Sequence, residues 1–441
     1  MRKVGLAAAL TALALFVVLP AGAGATTRIT ALANVTNDGG ADNGDNEPDI
    51  ALNPLNPRNE IAGWNDYGPG QSCGVGTTTN GGRTWATDWM RGITPAGGNP
   101  TYDYGAGDPS VGFLNDGTAI LVCNAWSVSK PTALYAFRST DGGRTWSPPQ
   151  LLVSQKNLGK NIDHPMMTID RYGNRVLVAY SIWNGSHAAR SYALVSSDGG
   201  LTYQGPYEIA ADYKANAVDT FDASLAGAPD GTIYATTGIW QYVNEWSEQS
   251  VVVSQLRPGE TAFTRSVKVR DLVPAPMALP GETWRTSMQA SIGVAPDGTV
   301  DLLTGDFATG NLDMYLARSG DHGTTFPASR QVNLTNDVND QVMPWMSVAP
   351  NGRIDTIFYD YNRSTGLMDA VYGQVAAAGT TMTRTVLQRG IDGESQPPRG
   401  AGHSAFMGDY LGIDSLNGTV ALAWTGNGPA SQDIWAATLT P

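Results

Sequence analysis

The chain has 441 residues and a formal net charge of −13, from 27 Lys and Arg against 40 Asp and Glu. Such an acidic balance argues against a nucleic-acid partner, because phosphate binding needs a basic surface. Only 15 % of the residues are charged and 52 are glycine, so the composition argues against an all-helical fold and a doubly wound α/β fold. The 41 % of hydrophobic residues is enough to bury a core.

The first 25 residues have the pattern of a secretory signal peptide. Arg2 and Lys3 form a short basic region, residues 4–20 are apolar, and small residues precede a cleavage point after Ala25. A membrane anchor is the alternative, but the apolar run is short and no second run follows. We therefore expect a secreted, extracellular mature protein that has no membrane association after cleavage.

Two cysteines, Cys73 and Cys123, remain after export. An oxidising compartment favours a disulfide between such a pair, and two buried free thiols are the alternative.

A turn motif occurs four times along the chain, at residues 79–85, 139–146, 197–203 and 319–326. Each copy combines Asp or Asn, glycine and a final aromatic residue. The Asp or Asn side chain can accept backbone N–H bonds within a turn, and glycine can adopt a positive φ. The motif therefore predicts the turn of a β-hairpin whose aromatic side chain packs back onto the sheet.

A second repeat consists of two apolar strands joined by a turn that contains glycine. Its turn glycines are 54 to 67 residues apart and are Gly117, Gly173, Gly231, Gly298, Gly352 and Gly418. In three units the Asp of the first motif follows 23 to 25 residues after this glycine. Each unit therefore has four strands, and radial repetition of such units predicts an all-β fold, a β-propeller. A longer turn at residues 56–58 belongs to the first unit, so we expect seven blades, with six as the alternative.

The last unit lacks its fourth strand, because the chain ends at Pro441 before that strand is reached. Residues 34–38 closely match residues 333–337, which are predicted to form the outer strand of the fifth unit. We therefore expect residues 28–37 to close the ring by pairing with the last blade.

The Asp-type turns resemble the Asp-boxes, or bacterial neuraminidase repeats, of the sialidase-like propeller superfamily. The resemblance implies that residues 26–441 form a single β-propeller domain. It also implies a carbohydrate-active protein, a sialidase-like glycoside hydrolase acting on an extracellular glycan. Sialidases grip a carboxylate with three arginines, and the first lies in a motif with an aromatic residue and a proline. Only Arg28, Ile29 and Thr30 stand near that place here, without the aromatic residue or the proline.

Two alternatives to the hydrolase stay open. Some seven-bladed propellers are polysaccharide lyases that use His and Tyr, with Arg reading the uronate of the glycan. The other alternative is a non-catalytic propeller that binds a glycan or a protein at its axial face. A close pair of carboxylates, or a carboxylate beside a histidine, would favour an enzyme.

The repeat also predicts a ring of polar residues where the inner strands begin. The position nine residues before each turn glycine is occupied by Asp108, His164, Asp222, Gln289, Met343 and Asp409, and Glu47 matches it in the first unit. Two carboxylates facing a sugar can act as acid and as base or nucleophile. We therefore expect the acids at 108, 222 and 409 and the histidine at 164 to be catalytic, and the residues at 47 and 289 to bind substrate. The alternative is that these residues only cap their strands.

Three further residues are candidates for the same face. Tyr410 follows the last ring position and is a catalytic candidate, and His403 lies in the loop before it. Arg285 follows a tryptophan and can hold a carboxylate or a sulfate, so we expect it and His403 to bind substrate. The alternatives are loop residues packed for structure and a surface arginine stacked on an aromatic ring.

The stretch 38–47 is rich in Asp and Asn and can bind calcium through oxygen ligands, although its spacing is not that of an EF-hand. A solvated acidic loop is the alternative. The four histidines show no zinc-binding spacing, and the Gly-x-Ser-x-Gly motif is absent from the sequence. We expect no required cofactor, with calcium as an option, and an extracellular glycan as the partner.

Overall fold

Seven four-stranded antiparallel sheets surround a central axis and form a seven-bladed β-propeller. This arrangement confirms the predicted fold class and excludes the six-bladed alternative. The computed structural model describes residues 27–37, 44–68, 72–99, 105–127, 132–154, 160–184, 189–213, 219–242, 246–335, 337–395, 405–427 and 432–441. The predicted signal peptide lies outside these residues. Over the described ranges no helix is long and apolar enough to cross a membrane.

The first four blades follow one another along the chain, each from its inner to its outer strand. Blade 1 contains β2 (Asp45–Leu52), β3 (Glu60–Asp66), β4 (Ser72–Thr78) and β5 (Ala86–Trp89). Blade 2 contains β6 (Gly105–Phe113), β7 (Ala119–Trp126), β8 (Ala133–Ser139) and β9 (Gln150–Ser154). Blade 3 contains β10 (Lys160–Asp170), β11 (Arg175–Asn184), β12 (Ala189–Ser196) and β13 (Gln204–Glu208). Blade 4 contains β14 (Asp219–Gly227), β15 (Ile233–Tyr242), β16 (Trp246–Leu256) and β17 (Thr264–Asp271).

The last three blades complete the ring. Blade 5 contains β18 (Ser291–Val294), β19 (Val300–Asp306), β20 (Asp313–Ser319) and β21 (Gln331–Asn333), with a 3-10 turn, η1 (Ala328–Arg330), before β21. Blade 6 contains β22 (Asp340–Val348), β23 (Ile354–Asn362), β24 (Leu367–Val375) and β25 (Met382–Ile391). Blade 7 contains β26 (Gly412–Ser415), β27 (Val420–Asn427), β28 (Gln432–Thr440) and β1 (Arg28–Asn34).

The N-terminal strand closes the ring, as the sequence predicts. In β1, Arg28 pairs with Thr440 and Asn34 pairs with Trp435 of β28, in antiparallel register. The backbone N–H of Val35 extends this pairing by donating to Ile434 at 2.7 Å. Blade 7 therefore combines both ends of the chain, and its outer edge is made by the first described strand.

The Asp-type turns join the third and fourth strands through hydrogen bonds of the Asp side chain. Asp141 Oδ1 accepts from the backbone N–H of Arg144 at 3.1 Å and of Thr145 at 3.0 Å. Gly143 has a φ of 88°, and a Cβ at this position would meet the side chain of Ile61 at 2.4 Å. The glycine is therefore needed both for the left-handed turn and for the close approach of blade 2 to blade 1.

The core lies between neighbouring blades rather than inside any single sheet. One cluster joins Ile61 and Val75 of blade 1 to Leu121 and Phe137 of blade 2. Cys73 of β4 and Cys123 of β7 belong to this cluster and form a disulfide between the two blades.

Candidate active site

The inner strands carry β-bulges at the positions where the polar ring is predicted. Five ring residues have a left-handed φ of 48° to 58°, and these are Glu47, Asp108, His164, Asp222 and Met343. At each of them the pairing register of the inner strand shifts. A left-handed backbone is costly for residues other than glycine, and a bulge re-aims the side chain it carries. The backbone of these five residues is therefore locally strained.

A cavity of ≈210 Å³, here called the upper cavity, opens on the axis where the inner strands begin. It gathers seven residues that the sequence predicts for the site, namely Glu47, Asp108, His164, Asp222, Arg285, Gln289 and Asp409. These residues come from blades 1, 2, 3, 4, 5 and 7 or from the segments that lead into them. The exception in the predicted ring is Met343, which is 2 % exposed and packs in the core of blade 6.

His164 lies at the centre of the charged groups. Its Nδ1 is 3.0 Å from Asp222 Oδ1, and its Nε2 is 3.5 Å from Asp409 Oδ2. The amide nitrogen of Gln289 is 2.9 Å from the same Nδ1. A neutral ring can accept from this amide, whereas an imidazolium donates at both nitrogens and needs the amide oxygen turned towards it. The proton on Nδ1 therefore decides the partner: Nδ1 without a proton accepts from Gln289, and Nδ1 with a proton, in the neutral or the charged ring, donates to Asp222.

Arg285 forms a two-point ion pair with Asp409. Its Nε donates to Asp409 Oδ1 at 2.8 Å and its Nη2 donates to Oδ2. The guanidinium also lies over the ring of Phe406, with Cζ 4.9 Å from the ring centroid. Planar two-point pairing of this kind is strong and directional. The arginine is thus stacked on an aromatic ring, as the alternative expects, and it also lines the upper cavity.

Two asparagines hold the acids on the other side of the axis. Asn65 Nδ2 donates to Glu47 Oε2 at 2.5 Å, and Asn65 Oδ1 accepts from the backbone N–H of Asp108 at 2.6 Å. Asn124 Nδ2 donates to Asp108 Oδ2 at 3.1 Å. Both acids are therefore held in place by asparagines on the second strands of blades 1 and 2, β3 and β7.

Glu248 is a buried acid that the repeat does not predict. It lies on β16 directly opposite Trp240, is 4 % exposed and lines the upper cavity. Its carboxyl group folds over Gly238, where a Cβ would meet Glu248 Oε1 at 2.5 Å and Trp240 Nε1 at 2.7 Å. The absence of a side chain at Gly238 therefore makes room for the carboxyl group.

Aromatic rings form one wall of the upper cavity. The centroids of Trp183 and Phe221 are 4.6 Å apart, and those of Phe221 and Trp240 are 6.0 Å apart, both edge to face. Phe221 also contacts the ring of His164, with centroids 5.0 Å apart. These contacts fix the wall beside the charged groups.

The environment separates the acidities of the buried groups. Burial and the charge of Asp222 raise the pKa of Glu248 well above its ordinary value. Burial by itself would raise the pKa of Asp409. Arg285 and His164 lower this pKa by a larger amount, so the net pKa is well below the ordinary range. Burial raises the pKa of Asp222, and His164 opposes this effect.

The imidazole of His164 is driven towards its charged form. Burial lowers its pKa, but the charges of Asp222 and Asp163 and the bonds to Asp222 and Asp409 raise it well above the ordinary value. These shifts favour a protonated carboxyl group at Glu248, an ionised carboxylate at Asp409 paired with arginine, and a charged imidazole at His164.

The remaining predicted residues lie elsewhere. Tyr410 is 3 % exposed and lines a second cavity of ≈290 Å³, here called the lower channel, on the other side of the bulges. Burial and the charges of Glu47 and Asp108 raise its pKa well above the ordinary value. His403 and most of the acidic stretch, residues 38–43, lie outside the described residues. Within the described part of the chain no group of three or more His, Cys, Asp and Glu has the geometry of a metal site.

The repeat contains a signal for the aromatic wall. Nine or ten residues after the turn glycine, where the second strand ends, five units carry an aromatic residue, and these are Trp126, Trp183, Trp240, Phe307 and Tyr361. Two of them, Trp183 and Trp240, line the upper cavity. The spacing after each turn glycine therefore indicates both Trp183 and Trp240. Glu248, on a third strand, has no equivalent in the repeat.

Comparisons with solved structures show the propeller fold. A Penicillium chrysogenum alpha-L-arabinanase complexed with arabinobiose has a TM-score of 0.53 and 12 % identity over 94 % of this chain and 98 % of that chain. An ulvan lyase from a new family of polysaccharide lyases has a TM-score of 0.52 and 11 % identity, over 92 % and 95 % of the two chains. A Hadza microbial sialidase has a TM-score of 0.50 and 18 % identity, over 71 % and 63 %.

No family model matches the chain, and no curated protein matches its sequence. At identities this low the structural likeness is evidence for the fold alone.

Proposed function

We propose that this protein is a secreted glycoside hydrolase that cleaves an extracellular glycan in the upper cavity. One arrangement carries the proposal: the buried carboxyl groups of Asp222 and Glu248 line the same cavity beside a wall of aromatic rings. Hydrolysis of a glycosidic bond uses two such groups, one as acid and one as base or nucleophile. The named activities of the arabinanase, the ulvan lyase and the sialidase support a carbohydrate as the ligand.

In this proposal Glu248 is the proton donor. Burial and the charge of Asp222 raise its pKa well above the ordinary value, which favours the protonated state that a general acid needs. Asp222 is the second carboxyl group. Burial raises its pKa above the ordinary value, and the imidazole of His164 beside it opposes this shift. Asp409 and Arg285 hold His164 in place from its other side.

The other groups of the cavity suit a sugar. Sugar rings stack on aromatic faces such as those of Trp183 and Trp240. Glu47 and Asp108 supply carboxylate oxygens that can accept from sugar hydroxyls, in orientations fixed by Asn65 and Asn124.

The sialidase-like form of the proposal, with membership of the Asp-box superfamily, draws support from the turn bonds of Asp141. It needs cationic groups for the carboxylate of a sialic acid. Of the described residues that line the upper cavity, Arg285 is the one arginine, and it already holds Asp409. The lyase alternative is also less well supported, because Tyr410 lines the lower channel and this arginine is engaged. Sialosides and uronate glycans are therefore tested beside neutral glycans.

A non-catalytic glycan-binding propeller is the second candidate. The observation that favours it is the mutual pairing of the charged groups, in which Arg285 holds Asp409 and His164 lies between two carboxylates. A closed network of this kind can serve the stability of the ring alone.

The test is mass spectrometry of products after incubation of the mature protein with sialosides and with plant, algal and bacterial polysaccharides, with and without calcium. Products that gain water are expected from the wild type and not from Glu248→Gln. The matched control is Glu208→Gln, a change at an exposed glutamate on the outer strand β13. Unsaturated uronates as products would establish the lyase, and binding without products would establish the non-catalytic propeller.

A further inference from the structure

Exposed apolar side chains stand beside the mouth of the upper cavity, on the side of blade 4. Tyr242, the last residue of β15, is 65 % exposed, and Met277 in the segment after blade 4 is 54 % exposed. Met277 lines the upper cavity, and Tyr242 lies two residues beyond the cavity-lining Trp240 on the same strand.

Tyr242 continues the aromatic wall outward. It follows Trp240 by two residues on the same strand, so the two side chains leave the same face of the sheet. Their Cα atoms are about 7 Å apart along the strand. Through Phe221 the wall runs from Trp183 to Trp240, and Tyr242 adds a further ring nearer to the solvent.

The segment after blade 4 that carries Met277 is held in place by Thr286. Its backbone N–H donates to the carbonyl oxygen of Met277 at 2.8 Å, and its Oγ1 donates to that of Pro276 at 2.7 Å. Pro276 and Met277 both line the upper cavity. This part of the mouth is therefore ordered before a ligand binds. Its order lowers the conformational entropy that is lost on binding.

The upper cavity is too small for a chain of sugars. Its volume of ≈210 Å³ is below the roughly 300–1,000 Å³ of ordinary ligand pockets. A ligand of several units must therefore leave the cavity, and Tyr242, two residues beyond the cavity-lining Trp240, offers a 65 % exposed ring to it.

We propose that the site takes an oligosaccharide, with one sugar unit in the upper cavity and a further unit stacked on Tyr242 outside it. This inference rests on the proposed function of the cavity as a glycan site. Tyr242 is then a residue that determines specificity for chain length. Tyrosine suits this role because its flat ring stacks on a sugar face while its hydroxyl stays in water.

The test measures binding and hydrolysis against chain length. The probes are arabino-, xylo-, cello- and chito-oligosaccharides of one to six units, titrated calorimetrically into Glu248→Gln so that the ligand is not consumed. In that background Tyr242→Ala, Tyr242→Phe and the control Tyr172→Ala are compared. Tyr172 is a 44 % exposed tyrosine in the turn between β10 and β11, at the lower channel.

For the series that binds, we expect affinity to rise about tenfold between one and three units, as one stacked ring contributes about 0.5–1.5 kcal/mol. Tyr242→Ala is expected to abolish this gain and to leave the affinity for one unit unchanged, whereas Tyr242→Phe and Tyr172→Ala keep the gain. Affinity that does not depend on length, or an equal loss at every length in Tyr242→Ala, would overturn the inference.

The two proposals fail in different ways. Binding that grows with chain length in Glu248→Gln, together with no hydrolysis by the wild type, contradicts the hydrolase and supports the role of Tyr242. Hydrolysis by the wild type with binding that is independent of length supports the hydrolase and contradicts that role.

Discussion

The upper cavity and the lower channel lie on the same axis and are built from the same inner strands, yet their polar groups bond in different ways. In the lower channel, Asp49 Oδ2 accepts from Ser110 Oγ at 2.6 Å and from the backbone N–H of Val111 at 2.8 Å. Asp414 likewise accepts from the backbone N–H of Leu52 at 2.9 Å. The carboxylates below the bulges therefore join one inner strand to the next.

Above the bulges the side chains form ion pairs and hydrogen bonds mainly with one another. His164 lies between Asp222 and Asp409, and Arg285 holds Asp409. In the inner strands of blades 1 to 4 the bulge thus separates a part whose side chains face a ligand cavity from a part whose side chains hold the ring together. A residue's position relative to the bulge, rather than its type, separates the two roles.

The largest expected effect comes from removing the proton donor of the upper cavity. Glu248→Gln should lower kcat by about 10²–10⁴, the usual contribution of general acid catalysis. In the wild type, activity should fall as the pH rises through the pKa of Glu248, because the ionised group cannot donate a proton. Steady-state kinetics across pH would measure both effects, and the remaining activity of Glu248→Gln should lack this alkaline limb.

An equal loss in Glu208→Gln, an exposed site on β13, would show that the measured effect is not local. A fully active Glu248→Gln would contradict the assignment of Glu248 as the proton donor. It would also contradict the role of the upper cavity as the catalytic site.

The next largest effect is on stability, from Asp409→Asn. This change leaves Arg285 without its carboxylate and removes one of the two carboxylates beside the buried His164, so it should cost about 3 kcal/mol of unfolding free energy, as for other broken buried ion pairs. The pKa of Asp409 is held below its ordinary value, so its contribution is present above the ordinary carboxyl range and is lost on acidification. Denaturant unfolding at pH 7 and at pH 3 would measure the change.

The control for this change is Asp369→Asn, which breaks the surface pair with Arg389, a side chain that is 74 % exposed. A surface pair contributes at most about 1 kcal/mol. Equal losses from both substitutions would mean that the network of the upper cavity adds no more stability than a surface contact.

A smaller effect is expected from Gly238→Ala. The added Cβ would meet the carboxyl group of Glu248 and the indole nitrogen of Trp240, so the donor must move. A displaced catalytic group should lower kcat/KM about tenfold, less than its removal does. The matched control is Gly418→Ala, where nothing lies within 4 Å of the added Cβ. Unchanged kinetics in Gly238→Ala would show that the position of Glu248 is not critical.

The sequence predicts the ring because each blade repeats the same spacing from a turn glycine to an inner strand. The same spacing finds Asp108, His164 and Asp222, since the bulge occupies one fixed place in the repeat, and it finds Asp409 at the equivalent place before β26. It also selects Met343, because a backbone position is repeated even where the side chain belongs to the core.

Glu248 and Tyr410 show where spacing fails. Glu248 reaches the axis from a third strand only because Gly238 leaves room, and such a pairwise contact has no period in the sequence. Tyr410 follows a ring position by one residue, yet its ring lines the lower channel. In the other blades the residues of that channel stand two positions after the ring residue, as Asp49 and Ser110 do, so the spacing does not predict the place of Tyr410.

The smallest effect should come from Tyr410→Phe, which tests the lower channel directly. The hydroxyl of Tyr410 is buried and makes no hydrogen bond within the described ranges. Removing such a hydroxyl leaves no other group without its hydrogen bond. We therefore expect the free energy of unfolding to change by less than about 1 kcal/mol and kcat by less than about threefold. The matched control is Tyr359→Phe, which removes a buried hydroxyl that donates to the carbonyl oxygen of Thr425 at 2.6 Å and should destabilise the protein by about 1–2 kcal/mol. A loss of kcat of a hundredfold or more in Tyr410→Phe would instead make this tyrosine catalytic, and the division of the inner strands at their bulges would then be wrong.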